Sequence, residues 1–186
     1  MSPSELEAAP HQIEELTVAC PESRIAEARE LLLEYGRFVV SQPGVARFCF
    51  GALENEAARL PFSYIELGGG SLVARVNEQP LGFVAWRAVD QFVARDAWEL
   101  KRLWVRSGTR GLGLGRALTQ AVLDRASAAG RSAVYLDTVP EAMTAAHRLY
   151  LDMGFVPCDA YNDNPVEGLA YLMKHLDRSR FAAVRE

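Results

Sequence analysis

The sequence contains few of the residues that build metal centres and disulfide frameworks. Among 186 residues there are only three cysteines and three histidines. The cysteines are odd in number, lie far apart and form no Cys-x-x-Cys pair, so neither a disulfide framework nor a zinc knuckle is indicated. The histidines show no metal-ligand spacing, and we expect no metal cofactor. These six residues are Cys20, Cys49, Cys158, His11, His147 and His175.

Long apolar runs and an excess of basic charge are also missing. No segment approaches the roughly 18 apolar residues of a membrane helix, and the N-terminus lacks the basic start and apolar stretch of a secretion signal. Lysine and arginine number 20 against 24 aspartates and glutamates, a formal net charge of −4. This balance argues against a globally basic nucleic-acid-binding protein and leans toward cationic partners. We therefore expect a cytoplasmic protein that binds neither nucleic acid nor membrane.

The composition is that of a folded chain. Hydrophobic residues make up 49% and charged residues 24% of the sequence, which is enough for a sizeable core at this length. No repeat, low-complexity tract or Pro-rich linker divides the chain. We predict one domain at 11–176, between a flexible N-terminus at 1–10 and a C-terminal tail at 177–186.

Hydrophobic periodicity changes several times along the chain. Apolar residues at three- and four-residue steps predict helices, and short runs rich in β-formers predict strands. Strands cluster early, and a strand–helix–strand–helix–strand order follows, which predicts an α/β fold with a mixed central sheet flanked by helices. The predicted helices are 21–40, 46–59, 113–129 and one that begins at 138; the predicted strands are 11–20, 71–76, 80–88, 97–105, 133–136, 155–160 and 169–175.

Two local signals mark helix ends. Gly130 is expected to stop the helix at 113–129. Thr138, Pro140 and Glu141 fit a capping box, with a hydroxyl three residues before a glutamate, and predict that the next helix begins there.

A glycine-rich loop joins the strand at 97–105 to the helix at 113–129. Glycines allow close approach of a ligand to the backbone, and a helix N-terminus favours an anion such as a pyrophosphate. A Walker loop requires Gly-Lys-Ser/Thr, whereas this chain has Gly115-Arg116-Ala117. A dinucleotide fingerprint requires a small residue where Arg116 stands. The pattern Arg-x-x-Gly-x-Gly is met by Arg110, Gly113 and Gly115, although simple turn chemistry remains the alternative for any one glycine pair.

At these residues the sequence resembles the GNAT superfamily of N-acetyltransferases, which have the acyl-CoA N-acyltransferase fold. A second motif supports the resemblance: the segment from Ala146 to Phe155 matches the signature A-x-x-L-Y-x-x-x-G-F. Met143 departs from the family, which often has asparagine there. Both motifs, in order and at suitable spacing, imply acetyl-CoA as co-substrate and no metal.

The resemblance also implies which residues contact acetyl-CoA. Loop amides would hold the pyrophosphate, with Arg110 and Arg116 as additional charges. Backbone groups at the end of the preceding strand would pair with the pantetheine amides. The residues concerned are Leu103, Trp104, Val105, Arg110, Gly111, Leu112, Gly113, Leu114, Gly115 and Arg116.

Two catalytic residues follow from the resemblance. Glu99, six residues before Val105, corresponds to a glutamate that removes a proton from the amine in some members; the alternative is a strand carboxylate paired with Lys101 or Arg102. Tyr150 corresponds to the tyrosine that protonates the leaving thiolate, because a phenol with a pKa of about 10 is protonated at neutral pH. The alternative is an aromatic core residue. Other candidates for the base are Glu66, Asp90 and Asp96.

The acceptor is expected to be a primary amine, either a small molecule or a peptide. The turn at 161–165 and the segment at 62–66 are candidates for shaping its pocket, although a plain hairpin loop explains the turn equally well. A homodimer is common for the fold. A catalytically silent acyl-CoA binding or sensing module of the same fold is the alternative function.

Overall fold

The computed structural model describes residues 10–42, 48–90, 94, 96–109 and 111–177, with the backbone alone at 48–51. Seven strands and five α-helices occupy this part of the chain, together with a 3₁₀ turn at Ser107–Thr109. The strands are β1 (His11–Glu15), β2 (Gly70–Val76), β3 (Gln79–Ala88), β4 (Ala97–Val105), β5 (Ala133–Thr138), β6 (Val156–Pro157) and β7 (Ala170–His175). The helices are α1 (Glu22–Ser41), α2 (Phe48–Ala58), α3 (Phe62–Ile65), α4 (Leu114–Ala128) and α5 (Thr144–Asp152).

All seven strands form one sheet in the order β1-β2-β3-β4-β5-β7-β6. Neighbouring strands are antiparallel except β4 and β5, which are parallel. A parallel pair needs a crossover, and α4 supplies it between these two strands. The predicted α/β fold with a mixed central sheet is confirmed.

The sheet forks between β4 and β5. The two strands pair only from Ala97 to Glu99 on β4 and from Ala133 to Tyr135 on β5. β4 continues to Val105 along β3, with an irregularity in register and a positive φ of 60° at Arg102. β5 continues to Thr138 along β7. Beyond Glu99 the edge of β4 that faces β5 therefore has no strand partner, and a gap opens in the middle of the sheet.

The two faces of the sheet carry separate apolar clusters. Helices α1 to α3 cover one face, where Leu31 and Leu32 pack with Phe83 and Tyr64. Helices α4 and α5 cover the other face, where residues such as Leu118 pack under Trp86 and Leu136. Both layers meet at the fork, so the gap between β4 and β5 is bordered by helices from each side.

The predicted elements agree with the structure except at four places. The strand expected at 11–20 ends at Glu15. The helix at 62–65 was not predicted, and the strand expected at 155–160 is only two residues long. The capping-box prediction was wrong. Thr138 pairs with Ala170 as the last residue of β5, and the next helix begins only at Thr144, after Met143 as N-cap. Strand pairing thus outweighs the local capping signal.

Candidate active site

A cleft of about 700 Å³ lies at the fork of the sheet. The end of β4, the glycine loop, the start of α4 and the residues around the start of α5 form its walls, with two residues from the end of α1. Its lining residues are Phe38, Gln42, Leu103, Trp104, Val105, Thr109, Gly111, Gly113, Leu114, Gly115, Arg116, Ala142, Met143, Thr144, Ala145, Ala146 and Leu149.

The glycine loop presents the N-terminus of α4 to this cleft. Gly113 is the N-cap residue in a left-handed conformation with φ of 72°, and no side chain caps the helix. The first backbone N–H groups of any helix have no acceptor within it, and here they carry the positive end of a four-turn helix dipole. A Cβ atom at Gly113 would have no neighbour within 4 Å. The loop therefore leaves open space beside unsatisfied N–H groups, as an anion site requires.

Close contact between α4 and α5 sets the far wall of the cleft. A Cβ atom added at Gly115 would lie 3.3 Å from Cδ2 of Leu149, tighter than ordinary van der Waals contact. Glycine at this position lets the two helices approach where both line the cleft. The glycines of the loop thus have different tasks, since Gly113 needs its backbone conformation and Gly115 needs its small size.

Side chains at the end of β4 attach α1 to the cleft. The Trp104 indole N–H donates to Glu34 at 3.2 Å, and the Arg106 guanidinium donates to both oxygens of the same carboxylate at 2.6 to 3.1 Å. Burial opposes ionisation of Glu34, but the hydrogen bonds from Arg106 and Trp104 lower its pKa below the ordinary value. These contacts occupy the side chains of β4 and leave its unpaired backbone edge free to face the gap.

Most residues predicted to contact the co-substrate line this cleft. Leu103, Trp104 and Val105 come from β4, and five of the predicted loop and helix residues join them: Gly111, Gly113, Leu114, Gly115 and Arg116. Leu112 instead packs against the apolar core under α4. Arg110 lies outside the described residues.

The predicted base, Glu99, is almost completely buried, with 2% of its side chain exposed. Oε2 accepts from Arg87 Nε at 2.5 Å. Oε1 accepts from Lys101 Nζ at 3.0 Å, from the Tyr161 hydroxyl at 3.1 Å and from the Asn162 amide at 3.4 Å. Both oxygens therefore accept hydrogen bonds, and two cationic side chains lie next to the carboxylate.

The predicted acid, Tyr150, lies on α5 but is not among the residues that line the cleft. It follows Leu149, which lines the cleft, and its ring packs edge-to-face on Phe155 with centroids 5.7 Å apart. Only 5% of the residue is exposed. Burial, together with electrostatic interactions with the Tyr35 phenol and the Asp137 carboxylate, raises the pKa of the Tyr150 phenol well above its usual value. The hydroxyl therefore stays protonated over the whole physiological range.

Asp137 was not identified from the sequence, although it lies on the same part of the fork. Its Oδ2 accepts from the side-chain amides of Asn162 at 3.0 Å and Asn164 at 3.2 Å. Asn162 Nδ2 also reaches Glu99, so one amide bridges the two carboxylates across the gap. The turn at 161–165 is thus more than a plain hairpin loop, because it supplies the polar side chains that connect β4 and β5. No local sequence signal joins Asp137 to a turn 25 residues later.

A second charged cluster holds α2 beside β4. Arg102 donates to both oxygens of Glu56 at 2.8 and 3.0 Å, and the Tyr64 hydroxyl donates to the same carboxylate at 2.6 Å. The guanidinium also lies 5.8 Å from the centroid of the Tyr35 ring. Burial opposes ionisation of Glu56, but the hydrogen bonds and charge of Arg102 lower its pKa below the usual range. The segment at 62–66 therefore joins this cluster through the Tyr64 hydroxyl.

The remaining candidates for a base lie away from the cleft. Glu66 is exposed and pairs with Arg59. Asp90 and Asp96 are exposed residues near the ends of β3 and β4.

A family model described as the acetyltransferase (GNAT) family matches residues 26–155. The chain belongs to this family. The match lies inside the domain predicted at 11–176, and it contains the glycine loop, the forked strands and α5. The sequence-based assignment to the GNAT superfamily is confirmed.

Curated relatives carry N-acetyltransferase names. The chain is 32% identical over 130 residues to an uncharacterised N-acetyltransferase of Schizosaccharomyces pombe, covering 69% of this chain and 77% of the relative. It is 35% identical to N-acetyltransferase 8F1 of Rattus norvegicus over 64% of this chain and 53% of the relative. It is 32% identical to human N-acetylaspartate synthetase over 64% of this chain and 38% of the relative. The chain thus spans about half the length of the rat protein and less of the human one.

Solved structures share the fold at low sequence identity. A GNAT-family acetyltransferase from Staphylococcus aureus superposes with a TM-score of 0.69 at 18% identity, over 90% of this chain and all of the other. A putative acetyltransferase from Salmonella typhimurium, solved with its cofactor acetyl-CoA, superposes with a TM-score of 0.62 at 20% identity, over 90% and 94% of the two chains. These similarities show the GNAT fold.

Within the residues that the structure describes, no group of three or more His, Cys, Asp or Glu side chains is placed to hold a metal ion. No helix in the same part of the chain combines the length and apolarity needed to cross a bilayer.

Proposed function

We propose that the protein is an N-acetyltransferase that moves an acetyl group from acetyl-CoA to a primary amine. The observation that carries the proposal is the fork between β4 and β5, with the uncapped N-terminus of α4 at the same cleft. A strand edge and a helix terminus offer hydrogen bonds to two different parts of one ligand, namely amides and phosphates. Names of relatives, including N-acetylaspartate synthetase, support nitrogen as the acceptor atom.

The residues of the cleft fit acetyl-CoA. The N–H groups between Gly111 and Arg116 would bind the pyrophosphate, because they lie at a positive helix end with open space above Gly113. Arg116 is exposed and lines the cleft, so its charge would add to this attraction. The free backbone edge at 103–105 would pair with the amides of the pantetheine arm. Bound acetyl-CoA supplies the acetyl group in activated form, as a thioester.

Tyr150 is the proposed general acid. Its hydroxyl is kept protonated by its buried environment, and its neighbour Leu149 lines the cleft. Donation of this proton to the sulfur that leaves would stabilise the product thiol, and the phenol would recover its proton from solvent. Burial keeps the phenol protonated but also makes it a weaker acid. Donation would therefore depend on the negative charge that develops on the sulfur as the carbon–sulfur bond breaks.

Glu99 stays the predicted base for the amine proton, acting directly or through one water. Its two cation partners hold it in place, and Tyr161 and Asn162 connect it to the acceptor side of the fork. The matched variant is Glu99→Gln, which keeps the shape and removes the basic oxygen. If Glu99 is the base, turnover falls most at low pH, where free amine is scarce, and recovers partly at high pH. A constant ratio of wild-type to variant rates across pH would leave Glu99 as a structural carboxylate.

The function itself is tested with the purified full chain. Calorimetry measures binding of acetyl-CoA, and release of free thiol with a panel of amines measures turnover; mass spectrometry then identifies the acetylated nitrogen. The panel should contain alkylamines, amino acids, aminoglycosides and a peptide with a free N-terminus. Binding together with acetylation supports the enzyme. Binding without turnover on any amine would favour a silent acyl-CoA binding module, and no binding would overturn the proposal.

A further inference from the structure

The charged side chains around the fork are not equally neutralised. Glu99 pairs with Arg87 and Lys101, and Glu56 pairs with Arg102. Each of these carboxylates has at least one cation within 3.0 Å. Asp137 differs, because among the described residues it forms no ion pair and accepts hydrogen bonds only from two neutral amides.

The two oxygens of Asp137 are also unequal. Oδ2 accepts from Asn162 and Asn164, whereas Oδ1 accepts from none of the described residues. The residue is half-buried, and Oδ1 is not among the buried side-chain atoms without a partner in this part of the chain. One carboxylate oxygen is therefore fixed in direction by two amides, while the other is open to a ligand. An anion held in this way lacks a cation to balance it.

Aromatic rings surround this carboxylate. Tyr171 on β7 is paired with Asp137 on β5. Tyr135 precedes Asp137 by two residues and lies on the same face of β5. The ring of Tyr161 lies 5.1 Å from that of Tyr135 and 5.5 Å from that of Tyr171, measured between centroids. Besides burial, the charge of Asp137 raises the pKa of the phenols of Tyr161 and Tyr171. Its charge acts on the pKa of Tyr150 in the same direction.

We infer that Asp137 is the residue that binds the acceptor, by accepting a hydrogen bond at Oδ1 from the acceptor's primary ammonium group. The inference rests on the proposed amine acetylation and narrows its acceptor class to cationic amines. Asn162 and Asn164 act as positioning residues that orient the carboxylate. Tyrosine rings beside it favour a cation, because their faces carry negative charge and their bulk limits access of water. Through Asn162 the bound ammonium would lie one side chain away from Glu99.

The experiment compares a cation with a neutral molecule of the same shape. The probes are phenethylammonium chloride and phenethyl alcohol, and binding is followed by calorimetry and by the ¹⁵N signals of the asparagine side-chain amides. Wild-type protein should bind the cation and shift the Asn162 and Asn164 signals, with weaker binding of the alcohol. Asp137→Asn should keep the fold and weaken binding of the cation at least about tenfold, since it removes a charge-assisted hydrogen bond. Asp163→Asn is the matched control, because it removes an exposed carboxylate from the same turn, and it should retain most of the affinity.

Enzyme kinetics give an independent result. In Asp137→Asn the KM of an ammonium acceptor should rise by a similar factor, while affinity for acetyl-CoA stays unchanged. Equal binding of the cation by wild type and Asp137→Asn, or an equal loss in Asp163→Asn, would overturn the inference. If Asp137→Asn acetylates amines with unchanged KM, the inference fails and the proposed function stands. If the cation binds in an Asp137-dependent way but no amine is acetylated, the cation site at Asp137 stands and the proposed function fails.

Discussion

The two halves of the candidate site are built in different ways. The proposed donor half, which would bind acetyl-CoA, consists of backbone groups: the N–H groups at the start of α4 and the edge of β4. The acceptor half uses side chains from separate strands and a turn, with Glu99, Asp137 and Asn162 as its centre. Backbone sites tolerate changes of side chain as long as the main-chain conformation survives, whereas side-chain sites depend on each member. The effects of substitution should therefore separate into two groups.

The largest effect is expected at the junction of the halves. Tyr150→Phe removes the proposed proton donor and retains the ring that packs on Phe155. Turnover should fall by about 10²–10⁴-fold, the usual contribution of general acid catalysis, with unchanged affinity for acetyl-CoA by calorimetry. Tyr64→Phe is the control, since it removes another buried hydroxyl, the one bonded to Glu56. Normal turnover in Tyr150→Phe would leave Tyr150 as a core residue.

Next to the acceptor half, the Arg102–Glu56 ion pair should contribute to the stability of the folded protein. Arg102→Met leaves the Glu56 carboxylate, with a quarter of its side chain exposed, without its cation. Breaking such a pair costs about 3–5 kcal/mol, measured as the free energy of unfolding in denaturant. The matched change in the donor half is Arg116→Met at an exposed residue, expected within about 0.5 kcal/mol of wild type. Similar losses in both variants would remove the contrast, and the double variant Arg102→Met/Glu56→Met should regain stability.

The donor half should respond to the backbone. Gly113→Val places a β-branched side chain at φ of 72° and in the open space above the helix N-terminus. Affinity for acetyl-CoA should fall by at least about tenfold, which corresponds to about 1.4 kcal/mol. Gly130→Val is a matched control, because Gly130 has φ of 69° and equally open surroundings at the other end of α4. Both variants bear a similar backbone strain, so an equal loss of affinity would argue that strain, and not the loop, is responsible.

The smallest effect concerns pH. Glu34 and Glu56 have pKa values below their usual range in the folded protein, because bonds from arginines outweigh burial. A lowered pKa contributes stability that is complete above the unfolded value of about 4.3 and is lost as the pH falls through the folded value. Each unit of lowering is worth about 1.4 kcal/mol. The free energy of unfolding should therefore decrease below about pH 4.3, and less steeply in Glu56→Gln. A variant with the wild-type slope would exclude Glu56 as a contributor.

The contrast between the halves also explains how much the sequence could predict. Gly111, Gly113 and Gly115 lie in one short segment, so their spacing predicted a loop whose residues line the cleft. Asp137 and Asn162 are 25 residues apart and meet only because β5 pairs with β7. The same pairing extends β5 to Thr138 and overrides the capping box predicted there. Periodicity reports which face of an element is buried, but it does not report which strand lies next to it.

The positive φ at Arg102 is another feature that depends on contacts between distant parts of the chain. A non-glycine residue in this conformation is uncommon, and nothing in the segment Glu99 to Val105 suggests it. The bidentate contact with Glu56, contributed by α2, holds the residue in place. The predicted strand at 97–105 was therefore confirmed in its bounds, while the irregularity within it depends on a helix elsewhere in the chain.

The short pairing of β4 with β5 has a consequence for cooperativity. Three residue pairs join the meander β1–β4 to the group β5–β7, whereas six pairs join β5 to β7. Native-state hydrogen exchange should therefore detect two units within one sheet, with amides on the β4–β5 boundary exchanging through openings smaller than global unfolding. A ligand that touches both groups would add contacts across this short pairing. Saturation with donor and acceptor should then merge the two units into one.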